Sequence, residues 1–160
     1  MDEVVGLLVA LGRRPALDRA EVAAALAGRG WRPVPRPGTA GAPRGWELDD
    51  HLLGIQGDAP HLRVEITLRC WEYDERAAAE AEDFAWLEAA WQRATDEARR
   101  LAARLQAAGP PFPGAPVTLP ADEAEEFLWH AAWSLAGRQL VVGAEHQDRE
   151  LPIRVLAAIS

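Results

Sequence analysis

The feature that most constrains the fold is a long series of apolar residues at helical spacing. They follow one another three or four positions apart: Phe84, Leu87, Trp91, Ala94, Ala98, Leu101, Leu105 and Ala108. This spacing places them along one side of an α-helix, so that this side can be buried. We predict a helix over residues 75–108, about 50 Å long at 1.5 Å per residue. Gly109, Pro110 and Pro111 then end it.

A second periodic segment, residues 61–71, predicts a β-strand. Its apolar residues alternate with polar ones, and they are Leu62, Val64, Ile66, Leu68 and Cys70. Alternation with period two gives a strand one buried face and one solvated face, as is common in antiparallel sheets. The pattern therefore predicts that Cys70 lies on the buried face.

Shorter elements are predicted on both sides of the long helix. Residues 4–11 form a short helix or a strand, and a second helix follows the capping residue Asp18 and ends at Gly28. The remaining predictions are strands at 31–34, 46–48, 51–55, 117–119, 131–135, 139–145 and 151–159, and a short acidic helix at 121–129. Residues 145–150 are expected to form a solvated polar turn that includes Glu145.

The order of these elements favours an α+β fold. Strands before and after a helix indicate an antiparallel sheet packed against one long central helix, with short N-terminal and pre-C-terminal helices. A chain of 160 residues is expected to form a single domain, residues 1–160. Within it, residues 36–45 form a Pro/Gly-rich loop and residues 109–116 a Pro-rich linker.

Charge and composition exclude several classes of partner. The formal net charge is −8 and the pI is about 5.0, which disfavours binding to nucleic acid or to anionic lipid and favours a basic partner. The one cysteine cannot form an internal disulfide, which is typical of a reducing compartment. No apolar stretch is long enough to span a membrane. We expect a cytoplasmic protein, either a monomer or a homodimer.

The common catalytic signatures are missing from the sequence. It contains no GxxxxGK[ST], GxGxxG, CxxC, HExxH or GxSxG motif, and only two serines. We therefore expect a protein without enzymatic activity, bound metal or cofactor. An alternative is an uncharacterised enzyme that uses Cys70 as a nucleophile, or a metal held by Asp122, Glu126 and His130 on one helix face.

Acidic clusters and seven tryptophans point instead to a protein-binding surface. Tryptophan is enriched at the energetic centres of interfaces, and an acidic face complements a basic partner. Trp86, beside Glu82 and Asp83, is predicted to be an exposed anchor. The other residues predicted to contact the partner are Asp122, Glu123, Glu125 and Glu126.

Several short motifs carry a family resemblance. A helix ends in Gly30-Trp31, a strand reads Trp46-Glu47-Leu48, and a long Ala/Arg/Glu helix is followed by Gly109-Pro110 and a terminal meander. In this arrangement the chain resembles small actinobacterial α+β proteins of immunity type or unknown function that are associated with polymorphic toxin loci. The resemblance implies a cytoplasmic immunity-type protein that binds and neutralises a toxin domain. An alternative is a secretion-chaperone-like or accessory protein that binds an effector.

Overall fold

The structure is a computed structural model that describes residues 1–14, 16–35, 45–72, 83–109, 112–146 and 152–160. The helices in these ranges are α1 (Asp2–Gly12), α2 (Arg19–Ala27), α3 (Asp83–Ala107) and α4 (Ala121–Ala124). The strands are β1 (Arg32–Pro33), β2 (Gly45–Leu48), β3 (His51–Gln56), β4 (Arg63–Trp71), β5 (Ala115–Val117), β6 (Phe127–Leu135), β7 (Arg138–Glu145) and β8 (Ile153–Ile159). The α+β class, with one long central helix and an antiparallel sheet, is confirmed.

The eight strands form one sheet in the order β1-β2-β3-β4-β8-β7-β6-β5, and every neighbouring pair is antiparallel. Strands β1 to β4 form one meander and β5 to β8 a second one. The last strand of the first meander, β4, pairs with the last strand of the second meander, β8, in the middle of the sheet. Helices α1 and α2 precede the first meander and α3 precedes the second, so the two halves have similar connectivity around the β4–β8 pair.

The two N-terminal helices have clear local causes. Residues 4–11 are helical and form part of α1, which decides between the helix and the strand that the sequence allows. The helix buries Val4, Leu7 and Leu11, which follow one another at helical spacing. The Asp18 side chain accepts hydrogen bonds from the backbone N–H groups of Ala20 and Glu21, at 2.8 and 3.2 Å, and so caps α2. The predicted cap is confirmed.

Helix α3 crosses the sheet and packs on β6, β7 and β8. Its predicted apolar side is buried from Ala94 to Leu105. The prediction fails at the start of the helix, where Phe84 is 64% exposed and Trp91 is half-buried, while Ala90 is buried instead. Residues 75–82 of the predicted helix lie outside the described residues, as do residues 36–44 of the predicted loop and residues 110–111 of the predicted linker.

Strand β4 contains an irregularity that the alternating pattern did not predict. Its pairing with β8 shifts between Thr67 and Arg69, which inserts an extra residue on β4. Beyond the shift, Cys70 pairs with Arg154, and its side chain turns away from the helix-covered face. The prediction that Cys70 is buried is therefore wrong: the residue is exposed.

The acidic helix predicted over residues 121–129 is shorter than expected. Helix α4 ends at Ala124, and residues 127–135 form β6, which pairs with β7 along its whole length. The Phe127 ring lies against Gly143 of β7, so closely that a Cβ at Gly143 would lie 2.3 Å from a ring carbon. Cross-strand packing of this kind outweighs the weak helical preference of the local sequence.

The sheet face opposite α3 holds a charged network. Glu145 is 4% exposed, and Arg154 on the neighbouring strand contacts its carboxylate. Arg154 also lies 3.5 Å from Glu65 of β4, so that the network joins three adjacent strands. The expectation that Glu145 belongs to a solvated turn is wrong, because the residue is the buried last position of β7.

Candidate protein-binding surface

The predicted acidic residues lie on a short segment between β5 and β6. Asp122 and Glu123 belong to the single turn of α4, where negative side chains are stabilised by the free backbone N–H groups at the start of the helix. Glu125 and Glu126 follow directly after this turn. All four residues are exposed. We call residues 122–126 the acidic segment.

The acidic segment concentrates carboxylates that have no ion-pair partner in the described part of the chain. Some exposed carboxylates elsewhere lie close to arginines, such as Glu21 at 2.9 Å from Arg14, whereas others, such as Glu88, have no such partner among the described residues. Asp122, Glu123 and Glu125 have no ion-pair partner among the residues that the structure describes. Their negative charge is therefore not balanced locally and is available to a cation from outside.

An open groove lined by both polar and apolar side chains lies between the first half of α3 and the start of β6. It has a volume of about 660 Å³ and is lined by Ala85, Glu88, Ala89, Trp91, Gln92, Thr95 and Leu128. Leu128 is 38% exposed, and Phe84 stands beside the groove with its ring edge against Trp91, at a centroid distance of 6.4 Å. We call this feature the α3–β6 groove.

A bulge at the start of β6 explains why Leu128 faces the solvent. The pairing with β7 shifts between Phe127 and Trp129, so that Leu128 is the extra residue. Phe127 turns to the face opposite α3 and lies against Gly143, whereas Trp129 turns towards α3. There the guanidinium of Arg99 lies 5.8 Å from the centroid of the Trp129 ring, a distance typical of a cation–π contact.

The groove and the acidic segment are joined by a chain of contacts through His146. Trp91 Nε1 donates a hydrogen bond to His146 Nδ1 at 3.1 Å, and the two rings lie 5.8 Å apart. The backbone N–H of His146 in turn donates to the carbonyl of Glu126 at 3.3 Å. His146 therefore contacts both the α3–β6 groove, through Trp91, and the end of the acidic segment, through Glu126.

The structure brings together only some of the predicted partner-binding residues. Asp122, Glu123, Glu125 and Glu126 are exposed on one segment, as expected for a contact surface. Trp86 is half-buried and packs against the hydrophobic core, so it is less exposed than expected. Asp83 is the first residue of α3, and Glu82 lies outside the described residues.

The surface also contains two exposed residues that the sequence does not predict there, Phe84 and Leu128. The spacing of Phe84 predicts a position on the buried stripe, and the helix predicted over residues 121–129 includes Leu128. The signal that could have pointed to Phe84 is its position at the very start of the stripe, where a helix can extend beyond the sheet that covers it. No comparable signal exists for Leu128, whose exposure depends on the bulge in β6.

The thiol of Cys70 is accessible but is not activated. The pKa of the Cys70 thiol is raised, mainly because surrounding protein atoms reduce its hydration and also because Glu72 is negatively charged. Arg154 opposes this effect in part. A raised pKa reduces the thiolate fraction at neutral pH, whereas a nucleophilic cysteine requires the opposite shift.

The metal alternative loses its geometric basis. Asp122, Glu126 and His130 were expected to share one helix face, but α4 ends at Ala124 and His130 lies on β6. Within the described ranges, no group of three or more His, Cys, Asp or Glu side chains is arranged to hold a metal ion.

Comparisons of the chain with protein-family models, with curated proteins and with solved structures each return no match. In the part of the chain that the structure describes, no helix combines the length and apolar character needed to cross a membrane.

Proposed function

We propose that this chain is a non-catalytic protein-binding module whose partner presents a basic surface to the acidic segment and the α3–β6 groove. One observation carries the proposal: three exposed carboxylates without arginine partners among the described residues lie within four residues of one another, directly before the strand that carries the exposed Leu128. Interfaces commonly combine an apolar centre with a polar rim, and complementary charge steers the two proteins together.

The biological role that we propose is that of a cytoplasmic immunity-type protein, which neutralises a cognate basic toxin domain by covering it. This role rests on the family resemblance of the sequence together with its net charge of −8. A basic partner would approach such a protein faster than a neutral one, since the opposite charges attract over about a Debye length.

A second candidate is a secretion-chaperone-like or accessory protein that binds an effector. The α3–β6 groove favours it, because an open groove of about 660 Å³ bordered by the exposed side chains of Leu128 and Phe84 can accept side chains of another chain. The two roles differ in the identity of the partner, which is a toxin domain in the first and a secreted effector in the second.

The proposal is tested by measuring binding to the purified products of the neighbouring genes. The test variant combines Asp122→Asn, Glu123→Gln and Glu125→Gln, and the control variant combines Glu3→Gln, Asp49→Asn and Asp58→Asn. Both variants remove three negative charges, but the control residues lie on α1 and on the turns before and after β3.

We expect the test variant to bind the partner at least about tenfold more weakly than the wild type, since the loss of even one close charge pair across an interface costs about 1.5 kcal/mol. The control variant should differ from the wild type by no more than about twofold. Equal affinities of the two variants, or no binding of any neighbouring gene product by the wild type, would contradict the proposal.

A further inference from the structure

The outer edge of β6 is only partly covered by its neighbour. Strand β6 contains nine residues, and β5 pairs only with Ala132, Trp133 and Ser134. Leu119, which would continue β5 alongside β6, instead packs with Ala132 and Val141 on the sheet face opposite α3. In the described part of the chain, no strand pairs with residues 127–131 on their outer side.

The pairing pattern fixes which backbone groups point towards this free edge. Leu135 and Arg138 flank a two-residue turn in which Ala136 and Gly137 both have positive φ. In a hairpin with such a turn, the two flanking residues form a hydrogen-bonded pair, so Leu135 and Arg138 are bonded to each other. Hydrogen-bonded and non-hydrogen-bonded pairs alternate along an antiparallel ladder. Residues 131, 133 and 135 therefore bond to β7, and residues 130, 132 and 134 direct their N–H and C=O groups outwards.

Proline supports the same assignment independently. Pro116 has no N–H and cannot take part in a pair with two hydrogen bonds, so its pairing with Trp133 is of the non-hydrogen-bonded kind. Ala132 and Ser134 then bond to β5, and His130, two residues earlier, points its N–H and C=O groups to the same side. Because β5 ends opposite Ala132, these two groups of His130 have no strand partner in the described ranges.

The free edge lies between the two features of the proposed surface. On the face covered by α3, Leu128 borders the α3–β6 groove. On the other face, Ala124 of α4 and Leu119 pack against Ala132, and the acidic segment ends one residue before β6. An added strand would therefore have the α3–β6 groove, with the exposed Leu128, on one face and the carboxylates of the acidic segment on the other.

We propose that an extended segment of the partner adds to the edge of β6 as a further strand and pairs with the backbone of His130. This inference rests on the proposed function and specifies its binding mode. Side chains of a strand alternate between its two faces, so the segment would carry apolar residues towards the α3–β6 groove and arginine or lysine residues towards the acidic segment.

The opposite edge of the sheet lacks these features. Strand β1 contains only Arg32 and Pro33, and the Arg32 side chain lies 3.2 Å from Glu47 on the neighbouring strand. A short edge strand that contains proline is a poor template for pairing with another chain. Strand addition is therefore specific to β6.

The test uses a synthetic peptide of alternating valine and arginine residues with blocked ends. Two control peptides have the same sequence but are N-methylated on every second residue. One of them lacks the N–H groups along one edge of the strand, and the other lacks those along the opposite edge. Binding is measured by calorimetry for the wild type and for two variants, His130→Pro and His130→Ala. Proline removes the outward N–H without affecting a bond to β7, whereas alanine removes only the side chain.

We expect His130→Ala to bind the peptide within about twofold of the wild type, and His130→Pro to bind up to about tenfold more weakly, since the hydrogen bond donated by the backbone N–H is lost. One version of the N-methylated peptide should show a similar loss. The amide hydrogen of His130 in the wild type should also exchange more slowly when the peptide is bound. This measurement decides the question even if His130→Pro does not fold.

The outcomes separate the binding mode from the proposed function. If the peptide binds and loses affinity in the Asp122, Glu123 and Glu125 variant but not in His130→Pro, strand addition is wrong while the acidic surface stands. Unchanged exchange of the His130 amide in the complex also overturns strand addition. If neither variant alters peptide binding, or if the peptide does not bind, strand addition is overturned, and binding to the neighbouring gene products then decides the proposed function alone.

Discussion

Cys70 owes its environment to a single extra residue in β4. The bulge between Thr67 and Arg69 moves the thiol from the helix-covered face to the opposite face, where it pairs across the sheet with Arg154. On that face the sulfur is partly desolvated and lies near the carboxylate of Glu72, and both effects disfavour the negatively charged thiolate. The local geometry thus makes an accessible cysteine less reactive than its exposure suggests.

We predict slow alkylation of Cys70 at neutral pH. The raised pKa favours the neutral thiol, so the rate with iodoacetamide should rise with pH to a midpoint above the ordinary value of 9.0. Glu72→Gln removes one cause of the raised pKa and should speed the reaction at pH 7.5, while Arg154→Met should slow it. A midpoint below 9.0 in the wild type would be inconsistent with this assignment.

Side-chain exposure was the least predictable property at this scale. The acidic segment was recognised from its residues, since charged side chains usually stay in water. Trp86 and Phe84 could not be separated in the same way, because both are large aromatic residues at the start of one helix. Their exposure depends on how far the sheet extends under α3, and this is a property of the assembled fold.

At the scale of single elements, β6 depends on close packing against β7. The Phe127 ring occupies the space over Gly143, where any Cβ would overlap it. The register with β7 then shifts by one residue at Leu128, before Trp129 pairs with Ala144. Glycine is therefore required at position 143 by packing, because only a residue without a Cβ leaves room for the aromatic ring of the neighbouring strand.

We predict that Gly143→Ala lowers the free energy of unfolding by about 1–3 kcal/mol, because the new methyl group would overlap the Phe127 ring. Gly54→Ala in β3 is the matched control. It also lies within a strand, but a Cβ there meets nothing within 4 Å, so the variant should be neutral or more stable by about 0.5 kcal/mol. Urea unfolding measures both values, and equal stabilities of the two variants would refute the packing argument.

Periodic segments were predicted well, and irregular ones were not. The stripe in α3 and the alternation in β4 each extend over enough residues to define a period, and both elements are present. The sequence Phe127-Leu128-Trp129-His130 contains no clear period, because a bulge interrupts it. Its strand conformation follows from pairing with β7, and pairing between distant segments cannot be read from local sequence.

At the scale of the whole molecule, the β4–β8 pair joins two halves of similar connectivity. The sequence shows no internal repeat, so this arrangement became visible only from the strand order. The central pairs Val64 with Ile159 and Ile66 with Ala157 are buried and belong to one hydrophobic core. This core also includes residues of α1, α2 and α3, so neither half buries its apolar surface alone.

We therefore predict that the two halves unfold together. Leu53→Ala in β3 removes a side chain that is 2% exposed in the first half and should cost about 2–4 kcal/mol. If unfolding is cooperative, the slowest amide hydrogens of β7 in the second half should exchange faster by the same factor as those of β3, at least about thirtyfold. Leu52→Ala, at a position that is 56% exposed, should have little effect on either strand. Faster exchange confined to β3 would mean that the second half is stable without the first, and the shared core would then not be what holds the molecule together.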